Sequence, residues 1–284
     1  MFQMPFIGHQ KNWELLLKDA AQNRLPPAYL FYGAPGIGKK KAALALVCRL
    51  FGREAGENTH PDLQFIQPDG NTIKIEAIRA CQERLKLAPL EAPLKVVLID
   101  EADSLTRQAA NSLLKILEEP PHSTLFILIT SSLFRILPTI RSRCRRLFFS
   151  TPPVEEMAET LAVSLNWPRE KIREMLQYVD GSAGLMCELA GSEMAGAIEN
   201  SGRLLTNASR SFTDIVQWGD ELAKNREINM NLLLEVLKKR LFREMAVENK
   251  LSDLAKIDRI SQAQRDLDGN VNKALVLENL MMEL

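Results

Sequence analysis

Short apolar runs alternate with helically spaced apolar residues through the first half of the chain. The runs are continuous rather than alternating, which is typical of strands that are buried on both faces of a parallel sheet. The predicted strands occupy residues 28–33, 62–68, 95–100, 124–130 and 145–150. The predicted helices occupy residues 12–24, 39–52, 75–89 and 104–121. This pattern predicts a parallel sheet with helices on both faces.

Residues that start or stop helices mark several of these boundaries. Ser104 is predicted to be the N-cap of the fourth helix, because a serine hydroxyl accepts a backbone N–H that the first turn leaves unpaired. Gly52 is expected to stop the second helix and Pro89 to close the third, while two prolines follow the fourth.

The pattern changes after residues 151–153, where strand-like runs cease. Short amphipathic helices are predicted at residues 154–167, 168–180 and 182–191. From about residue 197 the chain is predicted to be almost entirely helical, with helices at 212–225, 230–250, 251–267 and 270–284. Glycines cluster at positions 181, 184, 191, 196 and 202, where we expect a hinge or a domain boundary.

Composition narrows the possible function classes. The 284 residues predict two or three domains, and 46% hydrophobic residues is enough for a sizeable core. Basic and acidic residues number 36 each, which argues against a protein that coats nucleic acid by neutralising many phosphates. The four cysteines contain no C-x-x-C pair and suggest neither a zinc module nor a disulfide framework. The chain shows no signal-peptide pattern and no apolar run of membrane-spanning length, so we expect a soluble cytoplasmic protein.

The segment GAPGIGKK, residues 33–40, follows the first predicted strand and opens a predicted helix. A glycine-rich turn in this context presents backbone N–H groups to an anion. Gly33, Gly36, Gly38, Lys39 and Lys40 are the candidate nucleotide-binding residues, and Lys39 is predicted to reach the β- and γ-phosphates. The position after Lys39 is normally Ser or Thr, whose hydroxyl binds Mg²⁺, but here it is Lys40. A turn that serves packing alone is the alternative, so nucleotide binding stays open.

A second candidate element is VVLIDEAD, residues 96–103, in which an apolar strand ends in two carboxylates. This is the form of a Walker B segment, where Asp100 would orient Mg²⁺ and Glu101 would polarise the attacking water. The alternative is a buried strand that simply ends in acidic residues. The combination with an upstream phosphate loop favours the Walker B interpretation.

Four arginines lie just before the last predicted strand, in TIRSRCRR, residues 139–146. A solvated basic edge accounts for most of them. An arginine at this place is nevertheless able to project toward a neighbouring subunit, and its forked guanidinium suits a γ-phosphate bound there. The arginines are Arg141, Arg143, Arg145 and Arg146.

Four segments, taken in order, resemble the bacterial clamp-loader AAA+ proteins: HPDLQFIQPDG, KVVLIDEAD, AANSLLKILEEPP and LPTIRSRC. The resemblance implies an α/β plus all-α chain with three parts. These are a AAA+ parallel-sheet nucleotide-binding domain at 1–150, a small helical lid at 151–196 and a C-terminal helical collar for oligomerisation at 197–284. It also implies that Arg143, within Ser142-Arg143-Cys144, is an arginine finger for the ATP site of an adjacent subunit.

Departures from the family's motor subunits, gamma and tau, favour a subunit of the delta-prime type. Lys40 replaces the Mg²⁺-binding hydroxyl, the stretch 52–59 carries no zinc cysteines, and Gly184 in GSAGL stands where the motors have a sensor arginine. Asp100 and Glu101 are then vestigial. The sensor-1 residue falls somewhere in residues 129–134 and is not assigned.

The resemblance implies a non-motor subunit of the DNA polymerase III holoenzyme, a DNA-directed DNA polymerase, with no ATPase activity of its own. The implied partners are the gamma/tau and delta subunits, and the sliding clamp and primer-template DNA through the assembled ring, with no membrane. We expect no metal site and no required cofactor. ATP or ADP as a structural ligand stays open, while the charge of Lys40 argues against Mg²⁺. The C-terminal NLMMEL and residues 232–242 are candidate collar faces, although an internal core stripe is the commoner role of such segments.

Two other functions remain to be weighed. An ATP-hydrolysing motor subunit, or another AAA+ machine such as a replication-factor small subunit, is supported by Lys39, Asp100 and Glu101 but opposed by Lys40 and Gly184. A sequence-specific DNA binder has little support, because the charge is balanced and no DNA-binding motif stands out.

Overall fold

The first half of the chain folds around a five-stranded sheet. The computed structural model describes residues 7–52, 60–121, 123–179, 181–190, 196, 212–225, 228–248, 254–269 and 272–283. The strands are β1 Ala28–Tyr32, β2 Leu63–Ile66, β3 Lys95–Ile99, β4 Thr124–Thr130 and β5 Arg145–Phe148. They pair in parallel in the order β2-β3-β4-β1-β5. The predicted parallel sheet is confirmed, with β1 near its centre.

Helices follow the strands as predicted, with shorter bounds. They are α1 Gln10–Ala21, α2 Lys39–Phe51, α3 Ile75–Leu85, α4 Arg107–Glu118 and the short α5 Pro138–Arg141. Gly52 ends α2 with a φ of 71°, a left-handed conformation that glycine adopts without strain. The one-turn helix α5 was not predicted, because four residues are too few to show a periodic pattern.

Both faces of the sheet are buried, which explains the continuous apolar runs. On one face Leu30 and Phe126 join a cluster with residues of α3 and α4. On the other face Tyr29, Phe31 and Ile127 pack with residues of α1 and α2. Neighbouring residues of β1 therefore enter opposite layers, which explains why apolar and aromatic residues follow one another along the strand.

Two predicted helix boundaries are wrong. Thr106, not Ser104, caps α4, because its hydroxyl accepts the N–H of Ala109 at 3.2 Å. Ser104 instead ends a 3₁₀ turn, Ala102–Ser104, and its carbonyl accepts the N–H of Ile73 at 2.9 Å. The chain needs this turn to leave the end of β3 before a helix can begin.

The third helix ends at Leu85 rather than at Pro89. The buried carboxylate of Asp62 accepts the backbone N–H groups of Leu90, Glu91 and Ala92 at 2.7–2.9 Å. These hydrogen bonds fix the following residues as a loop and take the place of further helical turns.

The described part of the second half of the chain is mostly helical, as predicted. It contains α6 Val154–Leu165, α7 Arg169–Tyr178 and α8 Ala183–Ala190, followed by Phe212–Lys224, Met230–Glu248, Leu254–Asp268 and Lys273–Glu283. Several predictions lie outside the described residues: the cysteine-free stretch at 53–59, the glycines at 191 and 202, and the collar boundary near 197.

The chain divides into two compact units. One comprises Met1–Thr160 with Gly181–Gly184, and the other comprises Leu161–Asp180 with Leu185–Leu284. In the second unit, the Lys273–Glu283 helix packs against the helices Phe212–Lys224 and Leu254–Asp268, and the latter also packs against Met230–Glu248. The division into parts at 1–150, 151–196 and 197–284 stays a prediction.

The apolar stripe at 232–242 contributes mostly to the core of the helical unit. Leu233, Leu234, Val236, Leu237 and Leu241 are all buried there. The segment therefore offers few of its leucines as a free collar face, and Phe242 is its exposed aromatic residue. Among the helices that the structure describes, none has both the length and the apolar character needed to cross a membrane.

Candidate functional site

The phosphate-loop candidate and the acidic pair lie at the same edge of the sheet. Gly33 follows β1 and Asp100 follows β3, and the strands are parallel, so both residues lie at carboxyl ends. Ligand sites of open parallel sheets form at this edge. The fold thus brings together the two motifs that the sequence separates by some sixty residues.

The glycines of the loop are required by its shape. A Cβ at Gly33 would overlap the carbonyl oxygen of Phe149, and Gly38 begins α2 with a φ of 99°. Within the described part of the chain, no acceptor pairs with the backbone N–H groups of Gly36, Ile37, Gly38 or Lys39. The loop therefore keeps the frame of an anion nest.

Lys39 is buried and turned onto its own loop. Its Nζ donates to the carbonyl oxygens of Gly33 at 2.7 Å and Ala34 at 2.5 Å. Burial lowers the pKa of Lys39 to about 8, an effect opposed by the carboxylates of Asp100 and Asp103. The lysine is thus held beside the loop, where a bound phosphate would meet it.

Lys40 faces the acidic end of β3. Its Nζ lies 3.5 Å from Oδ2 of Asp100 and 4.6 Å from the ring centroid of Phe65. An ammonium group therefore neutralises the carboxylate that would orient Mg²⁺ in a Walker B segment. The cation and the metal would compete for the same carboxylate.

Glu101 departs from β3 in a left-handed conformation with a φ of 47°, and it is exposed. Its N–H donates to Oδ1 of Asp100 at 3.0 Å. The nearby Asp103 accepts the Thr130 hydroxyl at 2.6 Å, which ties the turn after β3 to the end of β4.

Ser131 is a candidate sensor-1 residue that the sequence did not single out. It follows β4, which lies between β1 and β3, and its Oγ is 3.5 Å from Nζ of Lys39. The sequence alone does not show the strand order. Because β4 is a neighbour of β1, the hydroxyl that follows β4 lies beside the phosphate loop.

Gly184 touches the phosphate loop directly. Its N–H donates to the carbonyl oxygen of Gly36 at 2.8 Å, and a Cβ at this position would stand 3.0 Å from the same oxygen. The predicted sensor position is thus adjacent to the loop, but the backbone approach leaves no room for an arginine stem without a shift.

His9 braces the loop from the N-terminal side, and sequence reasoning missed it. Its Nε2 lies 3.1 Å from the carbonyl oxygen of Ile37, and its ring centroid lies 4.8 Å from that of Phe149, with the two ring planes tilted by 60°. Burial lowers the pKa of His9, so the neutral imidazole donates to this carbonyl.

Arg143 lies at the opposite edge of the sheet. It precedes β5, which runs parallel to β1 with Tyr29 opposite Arg145. The four Cα atoms of β5 span about 10 Å, and Arg143 precedes this strand at the end away from the phosphate loop. Its guanidinium donates to Glu118 and to the carbonyl oxygen of Thr139. The structure therefore does not bring Arg143 together with Lys39 and Asp100.

The other arginines of this segment have different surroundings. Arg145 donates to Oδ2 of the buried Asp19 at 2.6 Å, and the hydroxyl of Tyr29 donates to the same oxygen at 2.6 Å. Burial and the Asp19 carboxylate raise the pKa of Tyr29. Arg141 lies 6.0 Å from the ring centroid of the exposed Phe134, and Arg146 is exposed. Arg145 is thus structural.

Comparison with known proteins matches the chain to replication proteins. A family described as "DNA polymerase III, delta subunit" matches residues 8–153. The DNA polymerase III subunit delta' of Bacillus subtilis is 43% identical over 150 residues, 48% of this chain and 46% of that protein. The Escherichia coli subunit delta' is 36% identical over 149 residues, 52% of this chain and 43% of that protein. The chain therefore spans less than half the length of these two relatives.

The fold is shared with solved structures at low sequence identity. A gamma subunit-related protein of DNA polymerase III from Thermotoga maritima aligns with a TM-score of 0.57 at 19% identity, covering 94% of this chain and 97% of that one. A RuvB variant from the same organism aligns with a TM-score of 0.51 at 14% identity, covering 88% and 85%. These likenesses concern the fold alone.

The sheet order, the loop after β1 and the acidic pair after β3 give the chain the AAA+ fold. More narrowly, the family match covers residues 8–153 of the 284. The chain belongs to the DNA polymerase III delta-subunit family, and the two delta' subunits named above are among its relatives.

Proposed function

We propose that this chain is a non-motor, delta-prime-like subunit of a bacterial DNA polymerase III clamp loader. In that role it helps to load the sliding clamp onto primed DNA, and it donates Arg143 to the ATP site of a neighbouring subunit. The observation that carries the proposal is the pair formed by Lys40 and Asp100, with 3.5 Å between Nζ and Oδ2. It places a fixed cation where an active ATPase needs Mg²⁺.

The absence of intrinsic hydrolysis follows from three properties of the loop region. Lys40 supplies no hydroxyl for Mg²⁺ and repels the metal by charge. Its ammonium neutralises Asp100. At Gly184 the loop meets a backbone N–H rather than an arginine, so this position supplies no side-chain contact to a γ-phosphate. Asp100 and Glu101 are then remnants of a Walker B site.

Nucleotide binding without turnover is compatible with this proposal. The unpaired N–H groups between Gly36 and Lys39, together with the Lys39 ammonium, suit a phosphate group. ATP or ADP would then act as a structural ligand and would stabilise the fold by mass action. The proposed subunit requires neither nucleotide nor Mg²⁺ for its role.

The strand topology supports the proposal that Arg143 acts on the ATP site of a neighbouring subunit. The residue lies at the amino-terminal edge of the sheet, and the chain's own phosphate loop lies at the carboxyl edge. An arginine so placed is far from its own nucleotide site and is half-exposed. A neighbouring subunit is therefore the place where its guanidinium meets a γ-phosphate.

The proposed partners are the gamma/tau and delta subunits of the clamp loader. The sliding clamp and primer-template DNA would be reached through the assembled ring, in the cytoplasm. The balanced charge of the chain, with 36 basic and 36 acidic residues, suits DNA contacts made by the assembly rather than by this subunit alone.

A motor subunit is the second candidate function. It is favoured by one observation, the cluster of Lys39, Ser131 and Asp100 around an intact loop frame. In that case Lys40 would have to release Asp100 when Mg-nucleotide binds.

The proposal is tested by reconstituting the ring from this chain and its cognate gamma- and delta-type subunits. Arg143→Ala is compared with Arg146→Ala, which removes an exposed arginine of the same segment. We expect only Arg143→Ala to lower the ATPase rate of the ring and its clamp loading, with assembly unchanged. Equal activity of the Arg143→Ala ring and the wild-type ring would refute the finger assignment.

A further inference from the structure

The guanidinium of Arg143 is held in place by two acceptors of its own chain. Nη2 donates to Oε1 of Glu118 at 2.7 Å, and Nη1 donates to the carbonyl oxygen of Thr139 at 3.0 Å. The two bonds use different nitrogens, so they fix the plane of the guanidinium as well as its position.

Both acceptors stand on well-anchored elements. Glu118 is the last residue of α4, next to the buried Leu117, and Thr139 lies in α5, next to the buried Ile140. The two helices also pack against each other. The backbone that carries each acceptor is therefore anchored to the core, and the half-exposed Glu118 side chain reaches Arg143 from it.

The two bonds leave most of the arginine's hydrogen-bonding capacity unused. A guanidinium carries five N–H donors, and three of those of Arg143 meet no acceptor in the described part of the chain. Its side chain is 35% exposed, so these donors are open to a ligand. Glu118 thus restrains the guanidinium and leaves three of its N–H donors available to a ligand.

We propose that Glu118 is a positioning residue that pre-orients Arg143 for a phosphate group in trans. The inference rests on the proposed function, since it assumes that Arg143 is the finger. A long side chain that is already ordered loses less freedom when it engages the phosphate, so its contribution to the transition state is larger. Glu118 touches neither nucleotide nor reacting atoms; it acts through Arg143.

The alternative is that Glu118 opposes the action of Arg143 instead of supporting it. A carboxylate also competes with phosphate for a guanidinium, in which case Glu118 would restrain the finger until the ring assembles. The two ideas predict opposite signs. Removing a positioning residue lowers the rate of hydrolysis, whereas removing a competitor raises it.

The test uses the reconstituted ring with Glu118→Ala, Glu118→Gln and the matched control Glu119→Ala. Glu119 is also exposed at the end of α4, and in the described part of the chain its side chain makes no hydrogen bond or ion pair with Arg143. We expect Glu118→Ala to lower kcat for ATP roughly two- to fivefold, the range for a half-exposed ion pair, with KM unchanged. Glu118→Gln keeps an acceptor oxygen and should recover most of the rate, and Glu119→Ala should match wild type.

A double-mutant cycle separates this inference from the function on which it rests. In an Arg143→Ala ring, Glu118→Ala should have no further effect, because the two residues act as one unit. If Arg143→Ala lowers the rate but Glu118→Ala leaves or raises it, the positioning role is wrong and the finger stands. If Arg143→Ala itself has no effect, the proposed function fails instead. Equal ring yields for all variants exclude a folding defect as the cause of a lower rate.

Discussion

The ammonium of Lys40 lies 3.5 Å from Oδ2 of Asp100, across the edge of the sheet where β1 and β3 end. An internal cation therefore occupies the place that a divalent metal takes in a AAA+ ATPase. The loop retains its glycine frame and its buried lysine. Active ATPases combine a phosphate site with a metal site. Here the phosphate site is retained, and a single residue, Lys40, takes the place of the metal.

Replacing Lys40 tests this relationship directly. Lys40→Thr removes the ammonium and restores a hydroxyl beside Asp100. We expect the affinity for ATP to become dependent on Mg²⁺ and to rise by about tenfold in its presence, about 1.4 kcal/mol. Titration with a fluorescent ATP analogue, with Mg²⁺ and with EDTA, measures the change. Lys41→Thr, at an exposed position of α2, is the matched control. No gain in the Lys40→Thr variant would mean that Lys40 is not what excludes the metal.

Replacing Gly184 tests the close approach of its backbone to the phosphate loop. A Cβ at this position would stand 3.0 Å from the carbonyl oxygen of Gly36. We expect Gly184→Ala to lower the free energy of unfolding by about 1–2 kcal/mol, because backbone must shift to admit the methyl group. Urea denaturation measures this difference.

Gly196→Ala is the control for Gly184→Ala. Gly196 is also helical, but a Cβ there meets nothing within 4 Å. This variant should gain up to about 1 kcal/mol, since alanine is the better helix former. If both variants are equally stable, the contact between Gly184 and Gly36 does not exist in solution.

Asp62 should make the stability of the first unit sensitive to acid. Burial by itself raises the pKa of this carboxyl, but the N–H groups of Ala92, Glu91 and Leu90 outweigh it and hold the pKa below its ordinary value. The carboxylate therefore stabilises the fold fully above about pH 4, and this contribution is lost as pH falls through the lowered pKa.

The corresponding variant is Asp62→Asn. It should cost about 2–3 kcal/mol of unfolding free energy at pH 7, because one of the three N–H groups loses its acceptor and the other two keep only an uncharged one. The cost should be smaller at pH 3, because the contribution of the charge is lost as the pH falls through the lowered pKa of Asp62. Chemical denaturation at both pH values measures it, with the exposed Asp69→Asn as the comparison. A cost that stays the same at pH 3 would show that the charge of Asp62 is not responsible.

The sequence predicts the sheet well because each strand is a continuous apolar run between helices. In β1, Tyr29 and Phe31 lie on one face and Leu30 lies on the other, so no charged residue interrupts the run. The starts of helices are harder to predict. Ser104 and Thr106 are both good caps, and only the turn after β3 decides that Thr106 takes the role.

The candidate site is predicted in part, for a related reason. Lys39 and Asp100 belong to local motifs, so their residue types are visible in the sequence. The contacts of Lys40 with Asp100 and of Arg143 with Glu118 join residues 60 and 25 positions apart. Such pairs depend on strand order and on helix packing, which local patterns do not encode. Ser131 and His9 were missed because their roles depend on contacts with residues that are distant in the sequence.

We propose that this chain helps a neighbour to hydrolyse ATP and does not hydrolyse ATP itself. The most direct measurement is Mg²⁺-dependent ATP turnover by the purified chain alone, with Lys39→Ala as the reference. We predict no turnover of the wild-type chain above that of Lys39→Ala. Mg²⁺-dependent turnover that Lys39→Ala abolishes would contradict the account and would identify the chain as a motor subunit.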